Sequence, residues 1–301
     1  MAQLKRQMLE LQQRAIAPKR GAEDKELYTN VLHNVAKRQQ KAFVDIQAAM
    51  TGYAASATQS GSPIQRTLVL PRDEASRRNT LRSMKALKLQ DARNFLSRRL
   101  SHLNPLNAMS EEHRFENDDG DYWAVRLVVS QFESAQSTKQ VFDLVVYYLS
   151  NSEISISEKV GHLTVREDDD NGEAGIMQHY LSSLTGKGVR MESNTVIFHE
   201  YYEAGPDNPQ NSYGLIVSEF VDEDERHPYR SSERVRKDVN AVMEEKVVVL
   251  TQWSHSRLRR PSFSVRKDGW HELRENMDRW SQNMHKNIME TLEPAIQGRL
   301  Y

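Results

Sequence analysis

The sequence predicts an α+β fold in which a curved antiparallel sheet wraps a long C-terminal helix, with further helices ahead of the sheet. Three observations predict it. From residue 121 onward, runs rich in β-branched and aromatic residues alternate with turn-forming Gly, Asp, Asn and Pro. After Asp268, the apolar residues Trp270, Leu273, Met277, Trp280, Met284, Ile288 and Leu292 recur at spacings that put all of them on one helical face. The first hundred residues carry helical rather than extended spacing.

Met1, Leu4, Met8, Leu11 and Ala15 form a short a/d seam that ends before Pro18. Leu27, Val31, Val35, Phe43 and Ile46 extend the helical pattern through roughly residues 24–50. Residues 1–50 therefore read as a helical or coiled-coil segment separate from the core, packed on its own chain or self-associating as the stub of a longer coiled coil. Residues 51–66, TGYAASATQSGSPIQR, hold no sustained period and read as a linker. The stretch from Arg66 to Arg99 holds ten basic residues against three acidic ones, yet Leu81, Met84, Ala92, Phe95 or Leu96, Leu100 and Leu103 still keep a helical spacing.

Five strands follow, in DYWAVRLVVSQF, VGHLTVRED, VRMESNTVIFHEYYE, YGLIVSEFV and KVVVLTQWS. Turns are read at Asp118-Asp119-Gly120, Asp170-Asn171-Gly172, Gly186-Lys187-Gly188 and Gly205 to Pro209. Between the first two strands, Ser137-Thr138-Lys139-Gln140 looks like a capping start for a helix through Leu149, although Val145-Val146-Tyr147-Tyr148 also suits a strand. The last helix is read from an N-cap at Asp268 to Pro294, over residues 269–293, about 37 Å at ~1.5 Å per residue.

Composition excludes several chemistries. The 301 residues contain no cysteine, which removes disulfides, thiolate metal sites and cysteine nucleophiles. No run approaches the ~18 apolar residues of a membrane span, so a cytoplasmic protein is expected, with a nuclear one left open by the short basic run Arg257 to Arg260. With 41 basic and 42 acidic residues, capture of nucleic acid by overall charge is not expected, and only the local basic segment 66–99 keeps that alternative open.

Catalytic and metal templates fail in turn. Around Gly186-Lys187-Gly188 the phosphate-loop pattern lacks its first glycine and the hydroxyl residue after lysine. The acidic run from Glu167 to Glu173 lacks the register of a calcium loop and reads as solvated. Glu200 and Glu203 lie three apart, which on a strand sends them to opposite faces. His162, His179, His199 and His255 obey no ligand spacing. No catalytic residue, metal site or cofactor is assigned.

Glu153-Ile154-Ser155-Ile156-Ser157-Glu158, Gly161 to Asp170, Val189 to Val196, Tyr213 to Val217 and Phe220 to Glu225 occur in this order. Together they resemble the START-like domain family abundant in oomycetes, whose members often carry a helical or coiled-coil N-terminus. The similarity spans roughly residues 71–295, and residues 67–301 are read as the domain. The resemblance implies a helix-grip fold enclosing an apolar tunnel suited to a lipid or sterol; it carries no ligand-contact residues with it. The spacing itself nominates lining residues: Trp123, Val125 and Leu127 on one face of the first strand, Val196 and Phe198 on a later strand, and Trp270, Leu273, Met277, Trp280 and Met284 on the last helix. The expected function is a non-enzymatic module holding a lipid or other apolar small molecule. The alternative is an interaction scaffold whose N-terminal helices and basic segment 66–99 bind protein or nucleic acid.

Overall fold

The computed structural model describes residue 37 and residues 61–101, 108–205, 212–246, 249–277 and 279–292. The helices expected within residues 1–50 and most of the linker lie outside them. The chain divides into two units, 1–60 and 61–301, and the second is the α+β domain. Its elements are β1 (Val69–Leu70), α1 (Glu74–Leu100), β2 (Met109–Glu116), β3 (Tyr122–Gln131), α2 (Thr138–Ser150), α3 (Ser152–Ser155), a π-helical turn (Ile156–Val160), β4 (Leu163–Glu173), β5 (Ile176–Leu184), β6 (Arg190–Tyr202), β7 (Tyr213–Phe220), β8 (Glu223–Asp224), β9 (Val235–Lys246), β10 (Val249–Leu258), α4 (Lys267–Glu275) and α5 (Arg279–Leu292).

Eight strands form one sheet in the order β2-β3-β10-β9-β7-β6-β5-β4, and neighbours in that order pair antiparallel. The two short strands β1 and β8 pair parallel to each other. One sheet face is covered by α1, and the other by α2, α4 and α5.

Helix α1 begins where Asp73 accepts a hydrogen bond from the Ser76 N–H at 2.8 Å. Its inner stripe is Arg77, Leu81, Lys88, Ala92 and Leu96, all buried, so two of its cations belong to the interior. Arg77 forks onto Asp224 at 2.8 and 2.9 Å, and Asn194 donates to the same carboxylate at 2.7 Å. Burial opposes ionisation of Asp224, but the bonds from Arg77 and Asn194 prevail and hold its carboxyl well below the usual range. Lys88 meets Glu219, which also accepts from Asn240 at 2.8 Å. Here burial prevails over pairing: it lowers the Lys88 ammonium and lifts Glu219 to about 7. Of the other cations in the basic segment, Arg66 pairs with Asp91, Arg78 with Glu74 and Arg99 with Glu111.

Ser137 caps α2 by accepting from the Gln140 N–H at 3.2 Å, so residues 138–150 are a helix and not the competing strand. Besides the two-residue strands β1 and β8, three strands of the eight-stranded sheet were not expected. Edge strand β2, MSEEHRFE, carries Glu111, Glu112, Arg114 and Glu116; an edge needs only one partly covered face, and charge along it protects against further pairing. β9 lies in the middle of the sheet yet contains Arg236, Lys237, Asp238, Glu244, Glu245 and Lys246. Its Asp238 is matched within the strand and across the sheet, accepting from Arg236 at 3.0 Å, Arg257 at 2.6 Å and Arg259 at 2.6 Å. β5 is the third.

Other boundaries shift as well. The acidic run from Glu167 to Glu173 belongs to β4, and the turn falls at Ala174–Gly175 instead of Asp170-Asn171-Gly172. Linker character does not extend through residue 66, because Ile64 is buried in the core beside Leu68 and Leu89. The long C-terminal helix is two helices that part after Glu275, and the residue capping the first is Arg266, with Asp268 already inside its first turn.

One buried carboxylic acid stands apart from these networks. Glu245 on β9 sits over Gly214, where an added Cβ would lie 2.5 Å from its Oε2 and 2.3 Å from the Phe142 ring. Neither of its oxygens has a partner on another described residue, and burial pushes its carboxyl up to about 8.

Two outcomes are expected. Arg77→Leu leaves Asp224 buried and unpaired and lowers unfolding free energy by ~3–5 kcal/mol in urea titration, whereas Arg78→Leu, at the exposed Glu74 pair, changes it by under ~1 kcal/mol. Because Glu245 binds its proton more tightly folded than unfolded, its contribution is complete below the unfolded carboxyl range and is lost as pH rises through about 8. Glu245→Gln should flatten that alkaline decline, read as melting temperature between pH 5 and 9.

Candidate functional site

The pairing register sets two adjacent rows of side chains across the sheet, one facing each side. Ile176, Phe198, Val217, Val242, Trp253 and Leu127 lie side by side on the α1 face. The next row, displaced by one residue on each strand, runs Met177, Ile197, Ser218, Ala241, Ser254 and Arg126 on the opposite face. Large side chains fill the first row. Three small ones stand at the centre of the second, and above them lies a cavity of about 160 Å³.

The cavity has two chemically different walls. Its floor is sheet and carries Thr195, Ser218, Gln252, Ser254 and Ser256. Its roof is helical and mainly apolar, with Leu149 from α2, Ile156 and Val160 from the π-helical turn, Leu273 from α4, and Met277 and Trp280 beyond it, interrupted by Ser152, His162, Asn276 and Ser281. The π-helical turn closes at Gly161, whose φ of +80° is the left-handed conformation glycine adopts without strain.

The roof is fastened by polar contacts at its joints. Glu272 of α4 accepts from the backbone N–H groups of Gly186 and Lys187, both at 2.9 Å, so the glycine turn between β5 and β6 holds a helix instead of a phosphate. Where α4 ends, Lys237 reaches from β9 to the Met277 carbonyl at 2.6 Å, and Arg114 donates to the Arg274 carbonyl at 3.0 Å. Lys237 and Arg114 thus bond carbonyls at the helix break, that of Arg274 in addition to the Asn276 and Met277 N–H groups it accepts from the backbone. Asn276 lies 3.2 Å from His162 Nε2. Burial lowers the His162 pKa, the Glu272 carboxylate 3.7 Å away partly restores it, and Lys237 and Arg279 lower it again. Arg126 joins floor to roof by donating to Ser281 of α5 at 3.2 Å.

Of the residues nominated from sequence, Leu273, Met277 and Trp280 line this cavity. Val125, Leu127, Val196 and Phe198 are buried on the other face, in the cluster with Leu81, Leu89 and Leu96 of α1. Trp123 shares their parity and lies tilted by 39° against His255, ring centres 4.7 Å apart. Trp270 packs beside Leu273 in a cluster with Val189 and Leu258, and Met284 packs with Ile288 and Leu292 in the cluster that includes α2. The parity error has a physical cause: each strand's most apolar stripe was assigned to the cavity, whereas that stripe packs against α1. The polar floor was written in the sequence as alternating Gln252, Ser254 and Ser256, a stripe that resembles a solvent face.

The four histidines do not converge. His162 and His179 line the cavity, His199 lies beside Phe142, and His255 lies between Trp123 and Trp253 on the α1 face. Among the described residues no group of three or more His, Asp or Glu could hold a metal ion, and no helix is long and apolar enough to cross a membrane.

No family model and no curated protein matches the chain. Among solved structures it is similar to human STARD10, at 11% identity over 77% of this chain and 83% of that one, with a TM-score of 0.41. It is also similar to a STAR-related lipid transfer protein from Xanthomonas axonopodis, at 14% identity over 61% of this chain and 99% of the other, with a TM-score of 0.37. A third is the human StarD13 lipid transfer and protein localization domain, at 9% identity over 63% and 95%, with a TM-score of 0.33.

The two rows predict opposite responses to added bulk. Ala241→Met extends into the cavity and should change stability by under ~1 kcal/mol, while Val242→Phe, one residue along, overpacks the α1 face and should cost ~1–3 kcal/mol in chemical denaturation.

Proposed function

We propose that residues 61–301 form a non-enzymatic, START-like binding module that holds a lipid or other apolar small molecule between the sheet and the α4–α5 roof. The observation that carries this reading is the cavity itself, over a row in which Ser218, Ala241 and Ser254 replace the large residues of the neighbouring row. A well-packed interior leaves few voids larger than a water molecule. A hollow bounded by Met277, Trp280 and Ile156 is a site where an apolar surface gains by leaving water. Methionine and tryptophan also suit irregular apolar partners. The resemblance of residues 153–225 to the START-like family points the same way.

In this reading α1 is structural: it covers the opposite sheet face and stabilises the domain independently of the ligand. Residues 1–50 remain a separate helical segment proposed to self-associate.

The protein purified under gentle conditions should carry a stoichiometric small-molecule adduct in native mass spectra, recoverable by organic extraction. Met277→Arg should remove at least nine-tenths of it while the far-ultraviolet spectrum stays unchanged. Trp123→Phe, on the other sheet face, should retain it. An adduct unaffected by Met277→Arg places the ligand elsewhere.

A further inference from the structure

The size and wall chemistry of the cavity narrow the occupant, an inference that rests on the binding reading above. A cavity of about 160 Å³ is comparable to the ~150 Å³ hollow known to admit benzene. It falls below the ~300–1,000 Å³ of pockets that enclose drug-sized ligands. A two-chain lipid does not fit within it.

The floor supplies the second constraint. Ser218 is 6% exposed, Ser254 7%, Ser256 3% and Gln252 9%, so these polar groups are withdrawn from bulk water. With Ser193 and Thr195, they line the cavity, and none of the six side chains hydrogen-bonds another described residue. Contrast Ser183 and Ser281, which also line the cavity but are engaged, with Thr164 at 2.8 Å and Arg126 at 3.2 Å. Polar groups this deep are satisfied by protein, by ordered water or by a ligand. A purely hydrocarbon occupant would strand them, and an unsatisfied buried hydroxyl is costly. The opposite wall, where Leu273, Met277, Trp280, Ile156 and Val160 outnumber the polar Ser152, His162, Asn276 and Ser281, favours hydrocarbon over most of its area.

We infer that the cavity selects a compact, ring-sized or short-chain molecule with oxygen functions along one edge and hydrocarbon along the other. The oxygen-bearing edge lies on the serine floor, where hydroxyls both donate and accept. The hydrocarbon edge lies against α4, α5 and the π-helical turn.

Naphthalene, 1-naphthol and 1,8-dihydroxynaphthalene form a size-matched series with none, one and two hydroxyls on one edge. Titrated into the full chain after delipidation, with tryptophan fluorescence and calorimetry as readouts, affinity should rise about three- to tenfold per hydroxyl. The Ser218→Ala/Ser254→Ala double variant, conservative in volume, should erase that rise and bind naphthalene more tightly than the parent chain, because naphthalene then strands no hydroxyl at those positions. Dioleoylphosphatidylcholine vesicles should transfer no lipid to the protein.

Equal affinity across the series, a hydroxyl gain that survives in the double variant, or stoichiometric uptake of the phosphatidylcholine would each overturn this inference. Each of those results leaves the binding reading standing. Binding of neither the ring compounds nor the phospholipid would overturn both.

Discussion

The period-two alternation of side chains along a strand is the constraint on which the rest of this structure depends. Because every residue of a paired strand must face one side or the other, an eight-stranded sheet offers two independent surfaces written into one stretch of sequence. Here they are chemically opposed. The Ile176–Phe198–Val217–Val242–Trp253–Leu127 row makes a dense apolar bed, and its neighbour holds Ser218, Ala241 and Ser254 at its centre. A slip of one residue in β7 or β10 would put a serine hydroxyl under α1 and Val217 or Trp253 into the cavity, so the register of these strands is defended from both faces.

This division lets one molecule be both rigid and hollow. Helix α1 buries Leu81, Leu89, Ala92 and Leu96 against the apolar row and adds two fully enclosed ion pairs, Arg77–Asp224 and Lys88–Glu219. Buried pairs of this kind contribute little net stability compared with apolar replacements, but each is costly to break. Their effect is positional. Arg77 and Lys88 admit one placement of α1, because any other would strand a charge. On the other face α2 and α5 are held by the buried cluster of Val141, Phe142, Val145, Met284, Ile288 and Leu292 with Met177, Ile197 and Met243 of the sheet, and Glu272, Lys237 and Arg126 tie down the edges of the cavity. The break between α4 and α5 follows the same logic: it brings Asn276, Met277 and Trp280 to the cavity, and Lys237 and Arg114 take up carbonyls beside it.

The fold was legible in the sequence wherever one physical signal dominated. Trp270 and Leu273 mark α4, Met284, Ile288 and Leu292 mark α5, Ser137 marks a helix start, and the strand of Tyr122 to Gln131 alternates. β9 was not legible, because its buried charges are answered by Arg257, Arg259 and each other across the sheet, partners that no local pattern contains. Nor was the inner role of Arg77 and Lys88, which read as part of a solvated basic face. Of the five residues nominated on the helical side, Leu273, Met277 and Trp280 line the cavity and Trp270 and Met284 do not; of the five nominated on the sheet side, none does. Hydrophobicity identifies what is buried, and in strands covered on both faces it cannot tell a packed surface from a binding one. The informative signal was the buried stripe of small hydroxyl residues in β10, matched by Ser218 in β7.

The central claim is that the serine-floored side of the sheet holds a guest and is not collapsed onto its roof. A crystal structure of the protein as isolated, at a resolution that separates ligand from solvent, tests this most directly. The account predicts continuous non-protein density between Ser218 and Ser254 below and Met277 and Trp280 above, with oxygen atoms at hydrogen-bond distance from the floor. Met277 and Trp280 packed directly on Ala241 and Ser254, with no space between them, would contradict it.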